Sequence, residues 1–152
     1  MQDLDNFHRV VGELLKHIGM PGTGFVEGQD MLTLEVDQRY TLHFGHIDRE
    51  HCFVLVDLSA AQPAASEAGW RRLLQANQIS PRRWQPVLAL DEQDRLTMWL
   101  RLPLSGSTLP QLLEAFDGLL AEAAALWLQL TAPASGPGSP GERRGPPILP
   151  GR

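Results

Sequence analysis

Between residues 96 and 102 the chain alternates strictly, with Leu96, Met98, Leu100 and Leu102 at every second position and Thr97, Trp99 and Arg101 between them. A period of two puts one set on each side of an extended strand, so this chain has to build a sheet with an apolar face to bury. Val87-Leu88-Ala89-Leu90 and the polar stretch Asp91-Glu92-Gln93-Asp94 precede it, which predicts a hairpin. Upstream, Leu32, Leu34 and Val36 alternate with Thr33 and Glu35. After a short turn at Asp37-Gln38, Tyr40, Leu42 and Phe44 alternate with Thr41 and His43. The run Cys52-Phe53-Val54-Leu55-Val56 is apolar on both faces, as in a central strand. With the polar turn His46 to Glu50, these segments predict a three-stranded antiparallel meander.

A sheet with one apolar face needs a cover, and helical spacing supplies it. Leu4, Phe7, Val11, Leu14, Leu15 and Ile18 recur at intervals of three and four, predicting an amphipathic helix from about Leu4 to Ile18. Asp3 is its expected N-cap, and Gly19 followed by Pro21 closes it. A loop over Ala60 to Ala65 leads to a second helix, capped by Ser66, with Trp70, Leu73, Leu74 and Asn77 on one face and Pro81 ending the segment. The last helix is capped by Ser107 or Thr108 and carries Pro110 in its first turn. Leu109, Leu112, Leu113, Phe116, Leu119, Leu120, Ala123, Trp127 and Leu130 give it about six turns at the usual 3.6 residues each. The order is α-β-β-β-α-β-β-α, an α+β domain over residues 1–132 with helices packed on an antiparallel, twisted sheet. Residues 133–152 hold six Pro and five Gly, with Ile148 and Leu149 the only large apolar side chains. That composition predicts a disordered tail.

Charge and chemistry narrow the function. Residues 1–132 carry 10 Lys/Arg against 17 Asp/Glu, and the only basic pairs there are Arg71-Arg72 and Arg82-Arg83. A nucleic-acid binder would show a basic stripe with aromatic residues among it, so nucleic acid is set aside. No apolar run reaches the length of about 20 residues that spans a bilayer. The acidic start (Asp3, Asp5) differs from a secretory signal, and a single Cys52 cannot form an internal disulfide; both point to the cytoplasm. His43, His46 and His51 with Cys52 suggest a metal site, but neighbouring strand positions face opposite ways and paired ligand spacings are missing. Cys52 sits in an apolar strand, where a buried thiol is a packing residue and not a nucleophile. Asp91, Glu92 and Asp94 read as an ordinary polar turn, without the pattern of a calcium loop. No phosphate-binding glycine loop or serine-elbow motif occurs. An enzyme is not expected.

Apolar surface is in surplus instead. The third strand is apolar on both sides, Trp99 stands on the polar side of its strand, and Trp70 lies on a short helix. A domain of this size has limited interior for them, which points to an oligomer interface or a partner groove. A dimer interface is expected at Trp70, Leu73, Leu74 and Trp99. A groove is expected where Leu4, Phe7, Val11 and Leu14 of the first helix meet Leu32, Leu34, Leu42, Phe44 and Val54 of the sheet. The unpaired edge of the first strand could accept an added strand there.

Leu73-Leu74-Gln75-Ala76-Asn77, Val87-Leu88-Ala89-Leu90-Asp91, Leu96-Thr97-Met98-Trp99-Leu100-Arg101-Leu102-Pro103 and the helix ending Ala123-Ala124-Ala125-Leu126-Trp127 together resemble the class I type III secretion chaperones, the Tir chaperone family. The resemblance covers about residues 4–130. It implies a dimer that holds an extended segment near the N-terminus of a secreted effector, with no cofactor or nucleotide. It leaves open a homodimer or a heterodimer with a second small chaperone. A regulatory, anti-activator protein of the same fold and a small-ligand-binding α+β domain are the alternatives.

Overall fold

A computed structural model describes residues 2–20, 24–61 and 67–131. The elements are α1 (Gln2–His17), β1 (Met31–Val36), β2 (Tyr40–His46), β3 (His51–Asp57), a 3-10 turn (Ser59–Ala61), α2 (Glu67–Gln75), β4 (Val87–Leu90), β5 (Leu96–Pro103) and α3 (Leu109–Thr131). This is the expected α-β-β-β-α-β-β-α order. The chain is already helical at Gln2, so Asp3 lies inside α1 and is not its cap. Pro21, the expected cap Ser66 and the tail 133–152 lie outside the described residues.

Local chemistry sets the element ends. α1 ends on Gly19 at φ 85°, with Met20 N bonded to Leu15 O at 2.9 Å and Gly19 N to Lys16 O at 3.3 Å. This is the left-handed closure that glycine adopts without a Cβ penalty. α3 opens with a reciprocal pair: Thr108 N donates to Gln111 Oε1 (3.0 Å) and Gln111 N to Thr108 Oγ1 (3.4 Å). Thr108, not Ser107, is therefore the cap, and two orphan donors are satisfied together. Asp37 and Gln38 both take positive φ in the turn from β1 to β2, the conformation that lets a tight hairpin follow the strand twist. In the β4–β5 turn, Asp91 Oδ1 accepts from Gln93 N and Arg95 N, both at 2.9 Å, while Arg95 Nε donates to Asp91 Oδ2 at 2.8 Å.

The five strands form one antiparallel sheet in the order β1-β2-β3-β5-β4. Its register puts Leu32, Phe44, Val54 and Leu100 in one lateral row, and Leu34, Leu42, Val56, Met98 and Leu88 in the next. This inner face meets Phe7, Val10, Val11, Leu14 and Leu15 of α1 and Leu112, Ala115, Phe116, Leu119, Ala123 and Leu126 of α3 in one core. The Phe44 and Phe116 rings stack at 6.0 Å, and Tyr40 meets Trp127 edge-on at 5.3 Å. Both long helices cover the same face. α2 sits beside β4, with Leu73 buried and Trp70 packed against the core.

Candidate functional site

The inner face has little to offer a partner. Phe7, Val11, Leu14, Leu32, Leu42, Phe44 and Val54 are all buried within the chain itself. Of the expected groove, only Leu4 and Leu34 stay partly exposed. The physical reason is that α1 and α3 lie side by side on that face, so the two apolar surfaces expected to flank a groove meet each other and form core. The groove as drawn from periodicity is thus corrected to its rim.

Apolar side chains are also presented on the other side of the sheet. Thr33, His43, Leu55, Trp99 and Val87 form one lateral row across all five strands, and Met31, Gly45, Phe53 and Arg101 form the next. Phe53, Leu55 and Trp99 are half-buried and Val87 is exposed. A Cβ on Gly45 would lie 2.1 Å from the Phe53 ring, so the ring lies over the glycine and spreads flat across the strand pair. Phe53 and Leu55 carried a signal in the sequence, since their strand is apolar at every position, but periodicity alone assigned them no role.

One end of this face is charged. Asp48 Oδ1 bonds His51 Nδ1 at 3.0 Å, and Asp48 Oδ2 lies 3.5 Å from Arg101 Nη2. The 2.8 Å bond from Glu50 N holds the Asp48 carboxyl below its ordinary range, with the His51 side chain adding to the effect. His43 Nδ1 pairs with Thr33 Oγ1 at 2.9 Å on the outer face, whereas His46 stands opposite Cys52 on the inner-facing register. No group of three or more metal-ligating side chains converges among the described residues. Burial pushes the Cys52 thiol up to about 12, the opposite of what a nucleophile needs.

The residues expected at a dimer interface separate into three environments. Leu73 is buried against the protein's own core, Trp70 is half-buried, and Leu74 is 70 % exposed. Trp70, Leu73 and Leu74 line an apolar depression with Asn77, Leu88, Ala89, Leu90 and Leu96, a cavity of about 240 Å³. Trp99 belongs to the outer-face row beside Leu55 and Val87. Leu73, expected at the dimer interface, instead lies in the core and fastens α2 to the sheet. Asn77, expected on the apolar face of α2, lies beyond the helix and bonds to the main chain of Leu88.

The two sheet edges differ. His46 N bonds Asp30 O at 2.9 Å, and the antiparallel ladder alternates from there. The main-chain groups of Thr33 and Glu35 therefore point away from β2 along the β1 edge. Among the described residues no helix is long and apolar enough to cross a membrane.

Solved structures share this fold. The Yersinia pestis type III secretion chaperone SycH, solved with a fragment of YscM2, superposes with a TM-score of 0.62 at 18% identity over 79% of this chain and 98% of that one. The Pseudomonas aeruginosa ExoU–SpcU heterodimeric complex from the type III secretion system gives 0.63 at 19%, over 82% and 99%. The ExoT–SpcS complex, also from Pseudomonas aeruginosa, gives 0.61 at 20%, over 79% and 96%. No curated protein sequence matches the chain. The profile of the Tir chaperone protein (CesT) family matches residues 9–126, so the chain belongs to the Tir chaperone protein (CesT) family.

Proposed function

We propose that this protein is a cytoplasmic type III secretion chaperone of a bacterium. It binds an extended segment near the N-terminus of a secreted effector, keeps that segment non-globular and aids its delivery to the secretion apparatus. The observation that carries the reading is a closed core beneath a sheet whose outer face still presents Phe53, Leu55, Trp99 and Val87. Apolar side chains of an extended client would lie on that face and on the rim residues Leu4 and Leu34. Its main chain would pair with Thr33 and Glu35 at the β1 edge. Such binding requires apolar anchors at suitable spacing and no fixed sequence. It needs no cofactor.

Capture of the bound segment from the native cell, with identification by mass spectrometry, names the client. Thr33→Pro then removes one edge N–H without breaking the β1–β2 ladder, and Trp99→Asp puts a charge on the outer face. Both variants, shown folded by circular dichroism, should lose the segment. Native affinity in both would sink the reading.

The protein is proposed to work as a dimer through Trp70 and Leu74 of α2, with a second small chaperone as the alternative partner subunit. Leu74 is exposed, so Leu74→Glu leaves the core untouched and should shift the mass in light scattering toward the monomer. Trp70→Glu should do the same. Unchanged mass in both variants places the interface elsewhere.

A further inference from the structure

β4 is the last strand of the sheet, and it lacks the open edge that β1 has. The bond from Asp91 N to Arg95 O (3.0 Å) fixes the ladder phase of the β4–β5 hairpin, so the N–H and C=O of Leu88 and Leu90 point outward. At Leu88 both are occupied: Leu88 N donates to Asn77 Oδ1 at 2.8 Å, and Asn77 Nδ2 donates to Leu88 O at 2.8 Å. A primary amide offers one carbonyl and one N–H in a plane, the same pair that a residue of a neighbouring antiparallel strand would offer. Pro86, in the same phase just ahead of the strand, has no N–H to give. Leu90, beside the hairpin turn, is left as the one outward position of β4 for which no partner is seen among the described residues.

We infer that Asn77 is a stand-in strand: its side chain occupies the pairing position of β4 and closes that edge, so the sheet accepts an added strand only at β1. An uncapped edge carrying Val87 and Leu90, both exposed, would offer a second copy of this chain the same edge, the arrangement that leads to edge-to-edge association. The position of Asn77 suits the task. It lies in the turn just past the end of α2 at Gln75, its own N–H is held by Leu74 O at 3.1 Å, and Leu73 anchors the helix beside the strand. That a client strand is thereby directed to β1 rests on the proposed function. The closing of β4 does not, and its test uses no client.

Residue-resolved amide hydrogen exchange on the full chain reads the edge without any substitution. The Leu88 amide should exchange about tenfold more slowly than the Leu90 amide, as one ordinary hydrogen bond implies. Equal rates would overturn the inference. In Asn77→Ala the Leu88 amide should speed up to the Leu90 rate while the β5 amides hold theirs. Light scattering should then show mass rising with concentration above that of the unsubstituted protein. Adding Leu90→Lys, a charge on the reopened edge, should abolish the rise of mass with concentration. Faster exchange without larger species would overturn edge closure and leave Asn77 as a clasp for α2. Larger species that Leu90→Lys fails to dissolve would overturn it too.

Discussion

Cys52 shows how one buried side chain ties stability to pH. It stands opposite His46 on β2 and Leu102 on β5, fully enclosed, and burial raises its thiol from 9.0 to about 12. The folded chain thus keeps the thiol neutral where the unfolded chain ionises it. The sign follows: the contribution is fully present below pH 9 and is lost as pH rises from 9 toward 12. Denaturant titrations of the native protein and Cys52→Ala should show a constant gap up to about pH 9. Above that the gap should shrink by up to about 1.4 kcal/mol per pH unit. Parallel curves at pH 10 would mean the thiol is open to solvent. Its burial was legible from its apolar strand. Asn77 was not legible, because helical spacing placed it on the α2 face while the backbone left the helix at Gln75. A polar side chain that pairs with a main chain 11 residues away leaves no periodic trace.

At the level of elements, alternation and helical spacing were enough to order all eight helices and strands, because each buries one face and its period records that face. Which faces meet is a tertiary matter. Phe7 and Phe44 share the core, and nothing in either pattern separates a groove wall from a packed layer. Phe53 and Leu55 are the converse, apolar residues on the face that α1 and α3 leave uncovered. End signals were partly readable. Gly19 closes α1 as expected, but Thr108 and Gln111 form a reciprocal cap that Ser107, one residue earlier, cannot match in register. Thr108→Ala should therefore cost about 1 kcal/mol by thermal or chemical unfolding, while Ser107→Ala should cost far less. Equal effects would overturn the assignment of the cap to Thr108. Gly45→Ala tests the outer face, since its methyl meets the Phe53 ring. It should cost about 1–3 kcal/mol. Pairing it with Phe53→Ala should recover part of that loss, because the two positions are in contact and couple.

For the whole molecule, the core has a defined extent among the described residues: its buried side chains begin at Phe7 and end at Leu126. The last described element, α3, closes that core from Leu112 to Leu126 and ends at Thr131. Residues 133–152 carry little that could add to it, with Ile148 and Leu149 as their large apolar side chains. A chain ended after Ala132 should therefore fold alone and melt within about 2 °C of the full protein, a difference below about 0.5 kcal/mol for a domain of this size. The same pair of proteins also tests the outer face. If Phe53, Leu55 and Trp99 are open to a client, a dye that reports exposed apolar surface should bind both chains equally, and Trp fluorescence should not move on truncation. A melting point several degrees lower, together with stronger dye binding by the shorter chain, would show the tail lying on that face. The surface proposed for the client would then already be occupied by the protein's own C-terminal segment.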